Sequence, residues 1–333
     1  MQIKKDKASR LIPLLGVFIF IGIILYSDFS LKDFGALILD VGVVAFSAMF
    51  ALKAIVFLSR SICWKILVKT LTPDQGIKFK SGFFFLHTTL AIFINAFSGF
   101  LGTIVSRPVA LKLEYKVPLT VGAVSISLDI FLSTIITGLF CLPGVCYLLQ
   151  LISLNVALLS NIGIIFALFF LVRVQHSLVI SAVSRIVKLV YLLASKVPIL
   201  HKRLTEHPQT VPALARIPRQ EFRDLLLFSV VAHYAQVFLA LTLVLALDLE
   251  MSPLLIVLMF PIAHIVANAS FIVGIADLSV IGVFTLFGVT LDDSILFVIA
   301  TRLFQTAISF TLTAGAYLFY RLLNQGRLVR GSL

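Results

Sequence analysis

The chain has 333 residues, 60% of them hydrophobic and only 13% charged, with a mean hydropathy of +1.11. Soluble domains run at about 45–50% apolar and about 25% charged, so a water-soluble enzyme is excluded. The net charge of +12 does not make a nucleic-acid partner expected, because no aromatic-basic interleaving accompanies it and basic residues that flank apolar segments set orientation at a membrane instead.

Stretches of about 20 residues without charge match the about 30 Å of a bilayer's hydrocarbon core. Runs such as Ile162 to Val172 are apolar on every face, unlike the alternating strands of a barrel. The reading is therefore all-α and polytopic. In chain order, spans are predicted over residues 11–27, 34–59, 117–140, 153–172, 225–247 and 294–320. The first follows Lys4, Lys5, Lys7 and Arg10 like a signal peptide, yet lacks a small-x-small site near Ser27 to Ser30, so an uncleaved span is expected. Two further apolar stretches, 82–105 and 253–275, either cross the membrane or dip in and return.

Charge decides between these. With both stretches re-entrant, all but Lys32, Lys53 and Arg302 of the 27 basic residues fall on the cytoplasmic side. If residues 82–105 spanned, the basic segment 173–223 would be translocated, against the positive-inside rule. Six spanning helices, two re-entrant hairpins and cytoplasmic termini in a cell (inner) membrane are the expectation. The hairpin sequence Phe93 to Pro108 places Asn95, Ser98, Gly99 and Gly102 at membrane depth. That composition fits a broken helix whose freed amides face protein or a watery cavity; it equally fits small residues that let helices pack closely. Within 173–223, Leu178 to Val197 reads as a basic amphipathic helix along the headgroups, or as an orientation signal alone.

Shifting the chain by 172 residues matches Gly102 with Gly274, Val117 with Val289, Leu119 with Leu291 and Thr134 with Thr306, and a one-residue gap aligns Asn95 with Asn268. The expectation is a single membrane domain, 1–333, holding repeat cores at 82–140 and 253–320. An odd number of spans between the copies inverts one against the other, the plan of alternating-access transporters with a site at the repeat interface.

The stretch Gly102 to Asp129, with Arg107 and Leu111, resembles the flippase-like transmembrane region of the lysylphosphatidylglycerol synthase family. So does Gly274 to Gln305, with Asp277, the step Gly288 and Val289, and the pair Arg302 and Leu303. The resemblance implies a protein that moves or holds a lipid-like substrate. Nothing in it resembles that family's cytoplasmic aminoacyl-transferase domain, so synthesis of the lipid is not expected.

Ionisable residues inside spans are functional candidates because insertion costs about 2.5–3.5 kcal/mol each. They are Asp40, Lys53, His87, Asp129, His233, His264 and Arg302. Lys53 is placed near a helix end, where it can snorkel. Asp129 and Arg302 stand at matching depth in the two repeats. As a pair they would either lock the halves together or serve an anionic phosphate. Arg107, at the mouth of the first hairpin, is either a headgroup ligand or an ordinary positive-inside residue. Asn95 and Asn268 would cap broken helices or touch substrate. The substrate-binding set is Arg107, Arg302, Asp129, Asn95, Asn268 and Asp277, with hairpin glycines Gly99, Gly102 and Gly274. No catalytic residue, metal or cofactor is expected, although Asp277 and His264 are the one conceivable acid-base pair. Movement of a phospholipid or polyprenyl-linked anionic substrate between leaflets is the favoured function. A lipid- or glycan-modifying enzyme, or a noncatalytic subunit serving a partner glycosyltransferase or synthase, is the alternative.

Overall fold

The computed structural model describes residues 22, 31–73, 76–98, 101–174, 217–269 and 273–328, and its elements there are helical. We number them α1 (Leu31–Leu71), α2 (Ser81–Ser98), α3 (Leu101–Tyr115), α4 (Leu119–Leu148), α5 (Leu154–Val174), α6 (Arg219–Ala246), α7 (Ile256–Ala269), α8 (Val273–Leu286) and α9 (Leu291–Leu328). A single 3-10 turn, Pro253–Leu255, leads into α7. The first predicted span, residues 11–27, and the amphipathic reading of 178–197 lie outside the described residues, as does Gly99.

Four helices are long and apolar enough to cross a membrane: Val41–Leu71, Leu119–Leu148, Arg219–Ala246 and Leu291–Leu322. At 1.5 Å per residue, the first runs about 46 Å, more than the about 30 Å of hydrocarbon, so it tilts or protrudes. Shorter apolar helices accompany them, among them Leu154–Phe170. The chain is a multi-pass helical membrane protein.

Both stretches expected to be broken are broken. Residues 82–105 divide into α2 and α3, which pack against each other, and residues 253–275 divide into α7 and α8, which do the same. With 14 to 18 residues in the arms, each is about 21–27 Å long, short of a full crossing. Close approach in the first hairpin depends on Gly102. A Cβ there would lie 2.6 Å from Asn95 Oδ1 and 2.9 Å from the Ala91 carbonyl oxygen. Asn95 itself bridges the arms, its Oδ1 accepting from the Thr103 amide at 2.9 Å and its Nδ2 donating to Thr103 Oγ1 at 2.7 Å. One of the unpaired amides of the first turn of α3 is thereby satisfied.

The open ends of the hairpins have different neighbours. At the α2–α3 end, Lys65 donates to Ser81 Oγ at 2.9 Å, and the Tyr320 hydroxyl donates to Glu114 at 2.9 Å, so the C-terminal parts of α1 and α9 gather there. Thr70, near the end of α1, donates to Glu221 at the start of α6 at 2.8 Å. At the α7–α8 end, Phe287 stacks on Tyr147 from the end of α4, with centroids 6.2 Å apart. Here α8 stops in a Schellman motif. Gly288, at φ +85, lets the Val289 amide reach the Phe284 carbonyl at 3.1 Å while its own amide reaches Thr285 at 3.0 Å. The Gly288–Val289 step of the family signature is thus a helix stop.

Apolar packing divides along the same lines. One core joins α1, α6, α7, α8 and α9 around Met49, Leu243, Met259, Phe284 and Ile308. A second joins α1, α4 and α6 around Leu67, Leu132, Phe140 and Leu225. A third holds the first hairpin, with Trp64, Phe83, Phe84 and Leu111.

Candidate functional site

A cavity of about 260 Å3 is lined by the C-terminal parts of α2 and α7, among other helices. Ile92, Asn95 and Ala96 line it from α2, and Phe260, Ala263, His264 and Ala267 from α7. Its polar wall is made by Asp277 from α8, Lys53 from α1, Gln236 from α6 and Thr301, Arg302, Gln305, Thr306 and Ser309 from α9. Arg302, Gln305 and Ser309 are three and four residues apart on α9, with Thr301 next to Arg302, which is how one helix turns a polar stripe to a cavity.

Three charged side chains set the electrostatics. Arg302 Nε donates to Asp277 Oδ1 at 2.8 Å, tying α9 to α8. Lys53 is only 5% exposed and donates to Gln305 Oε1 at 2.8 Å, with its ammonium 5.5 Å from the centre of the Phe57 ring. Two cations therefore face one carboxylate. Asp277 is 4% exposed, and its second oxygen, Oδ2, has no hydrogen-bond partner among the described residues; Thr301 Oγ1 has none either. On the far side of α9, Leu303, Phe304 and Ala307 face an apolar groove shared with Leu39, Gly42, Val43 and Phe46 of α1. This groove borders the lipid-facing surface, where Leu39 and Val43 are strongly exposed.

A second charged cluster lies in the first half. Arg107, 2% exposed, donates from Nη1 to Asp129 Oδ2 at 3.0 Å and stacks 5.1 Å from the Trp64 ring centre. Arg60 Nη1 lies 3.8 Å from Asp129 Oδ1, and its Nη2 donates to Ser133. Trp64 Nε1 donates to Ser125 Oγ at 3.2 Å. None of Arg60, Arg107 and Asp129 lines the cavity.

The expected pairing of Asp129 with Arg302 is therefore corrected. Each bonds within its own half, because each has an opposite charge on the hairpin arm packed beside it. The two pairs are mirror images in sign: arginine on the arm and aspartate on the following helix in the first half, the reverse in the second. Arg107, expected at a hairpin mouth as a headgroup ligand or an ordinary positive-inside residue, is instead a buried member of an ion cluster. Asn95 accepts from the Thr103 amide in the first turn of α3 and also lines the cavity. Asn268 falls in the last turn of α7, and its side chain lies outside the described residues. Gly274 is buried at the start of α8.

His264 and Asp277 share the cavity, but His264 stacks on Phe260 with centroids 5.7 Å apart while Asp277 takes Arg302. Among the described residues no hydrogen bond joins the two. His233 stacks on Phe140 at 4.9 Å. Among the described residues, no group of three or more His, Cys, Asp or Glu could hold a metal ion.

Sequence reasoning missed Arg60, Trp64, Thr301 and Gln305. One signal was readable. Lys53 and Arg60 are seven residues apart on one helix, which puts both on nearly the same face.

These features define a class: a multi-pass helical membrane protein with two pairs of short packed helices and a cavity lined by charged and polar side chains. The family described as the lysylphosphatidylglycerol synthase TM region matches residues 13–313, and the chain belongs to that family. No curated protein and no solved structure matches it.

Proposed function

We propose that this protein binds an anionic lipid or lipid-linked substrate in the cavity between the hairpins and moves it between leaflets. The observation that carries the reading is the unequal charge of that cavity, Lys53 and Arg302 against Asp277 alone, among helices that are otherwise mostly apolar. Uncompensated charge in a membrane interior is costly, and an anion entering the site offsets it. Membership of a lipid-associated membrane family supports the same direction.

The hairpin geometry supplies a route. The hairpins enter from opposite faces as an inverted repeat, a reading supported by Glu114–Tyr320 at one open end and Tyr147–Phe287 at the other. Rocking of one half against the other would then expose the cavity to each face in turn. The positive-inside bias supports a cytoplasmic α2–α3 opening and cytoplasmic termini in a cell (inner) membrane. The groove between α1 and α9 lies across one helix from the cavity, so a hydrocarbon chain can rest there while its headgroup sits inside.

Vesicles containing the purified protein and labelled anionic phospholipid or polyprenyl-phosphate sugar test this. Protein-dependent movement between leaflets is expected, reduced strongly in Lys53→Ala and Arg302→Ala. Failure to move any such lipid, with the protein folded, would sink the proposal.

A further inference from the structure

We infer that His264 is a proton-binding site coupled to the cavity, taking up one proton as an anionic substrate enters and releasing it as the substrate leaves, so that lipid movement is accompanied by proton movement. The inference rests on the proposed function and names the second ion that the same site handles.

Placement comes first. His264 is the one titratable residue of α7, and it is half-buried in the cavity wall. Its ring lies nearly parallel to that of Phe260, at 17° and 5.7 Å between centroids, which holds its plane. Neither ring nitrogen makes a hydrogen bond to a described residue, so no protein contact fixes which of them carries a proton.

Charge comes second. Lys53 of α1, Asp277 of α8 and Arg302 of α9 share the cavity wall with His264. Arg60 of α1 lies within electrostatic reach of it, and so does His233 of α6. Helix α4 meets α7 at Gly138 and Gly144, against Ile265, Leu258 and Ile262. Its titratable side chains are Asp129, Cys141, Cys146 and Tyr147; α5 carries only Arg173 and the 3-10 turn none. Lysine, arginine and aspartate ordinarily keep their charges near neutral pH, whereas histidine ordinarily changes there. In the cavity wall His264 is therefore the side chain whose charge can follow the occupant.

An anion and an imidazolium in one cavity stabilise each other, and the effect is reciprocal: the factor that protonation adds to anion affinity, the anion adds to proton affinity. A sphere of about 260 Å3 is about 8 Å across, and at an effective dielectric of about 20 unit charges that far apart change each other's binding by about tenfold or more. The step exchanges no electrons. A nitrogen lone pair of the neutral ring takes a proton from water while the cavity is open to one face, and the same N–H bond gives the proton back to water once the cavity has opened to the other.

His233 is the internal contrast. It is 2% exposed, stacks on Phe140 and has Thr137 Oγ1 3.5 Å from its Nδ1, and it does not line the cavity. A proton there has no substrate beside it.

The test measures binding of a fluorescent short-chain phosphatidylglycerol, whose phosphodiester stays anionic throughout, to the full-length protein in phosphatidylcholine nanodiscs between about pH 5 and about pH 8. The unmodified protein should bind about tenfold more tightly at the acid end. Adding the lipid to weakly buffered protein should raise the pH, by up to one proton for each lipid bound. His264→Gln should bind with no pH dependence, and His233→Gln should keep it. In vesicles, a pH gradient should drive labelled phosphatidylglycerol toward the leaflet facing the alkaline side, and a proton ionophore should abolish that accumulation.

Binding that neither varies with pH nor takes up a proton overturns the inference and leaves the proposed function standing. Proton uptake is read on the unmodified protein, so it decides even if His264→Gln fails to fold. A pH dependence that survives in His264→Gln puts the proton elsewhere, with Asp277 the first alternative, and overturns the assignment; its loss in a folded His233→Gln protein does the same. Lipid movement with no accumulation under the gradient overturns the coupling. No binding of phosphatidylglycerol at any pH overturns the proposed function itself.

Discussion

Asp129→Asn separates a structural ion cluster from a working one. The carboxylate lies 3.0 Å from Arg107 and 3.8 Å from Arg60, and the side chains of all three are at most 12% exposed. Removing its charge leaves two guanidinium groups without a counter-ion, and Arg107 Nε already has no partner among the described residues. Breaking a buried pair by removing one partner costs about 3–5 kcal/mol. At roughly 2–4 °C per kcal/mol for chains of 150–250 residues, that lowers the melting temperature by roughly 6–20 °C. Replacing a whole buried triad by apolar side chains is often neutral or stabilising, so Arg60→Met, Arg107→Met and Asp129→Leu together should recover most of the loss. Thermal unfolding in detergent can follow this through Trp64, the chain's single tryptophan, which is fully buried against the cluster. If Asp129→Asn left the melting temperature unchanged while abolishing lipid movement, the cluster would serve substrate and this reasoning would be wrong.

Other outcomes follow from the same geometry. Gly102→Ala should destabilise by about 1–3 kcal/mol, the usual cost of overpacking, because the Ala91 carbonyl cannot step aside; a melting curve unchanged from the parent would contradict the contact. Gly288→Ala forces an L residue to φ +85 and should cost about 1–2 kcal/mol, read in the same assay, without altering lipid binding. Cysteines placed at Lys112 and Arg219, in a background lacking Cys63, Cys141 and Cys146, should react with an impermeant reagent from the same side of the membrane. Labelling from opposite sides would refute the hairpin topology.

Element positions were largely legible because each is driven by local chemistry. Apolar length marked α4, α5, α6 and α9, and the division between α2, which ends at Ser98, and α3, which starts at Leu101, falls inside the stretch whose polar and small residues argued for interruption. Ion pairing was not legible. Asp129 and Arg302 occupy equivalent places in the two halves, and equivalence was read as proximity. Each instead bonds to the arm packed beside it, Asp129 to Arg107 and Arg302 to Asp277, so the informative comparison was Arg107 with Asp277. Gln305 and Thr301 gave no signal, since neutral polar residues in an apolar helix acquire meaning only when the cavity wall is known.

Lys53 shows the physical reason most clearly. The sequence reading ended its helix at residue 59, just before Arg60, and so placed the lysine within reach of water. In the structure α1 continues to Leu71, with Arg60 and Lys65 inside it. A charge ends a span only if it must reach solvent to be stable. Arg60 has Asp129 and Ser133, supplied by α4, so the helix runs on and Lys53 is held at depth by Gln305 rather than snorkelling. The face shared by Lys53 and Arg60 then delivers one cation to each half of the molecule. In each half the result is two cations against one carboxylate, but only the second half encloses a cavity around them. Excess charge surrounded by packed side chains stabilises nothing except its own partners; beside an opening of headgroup size it is an attraction for an anion.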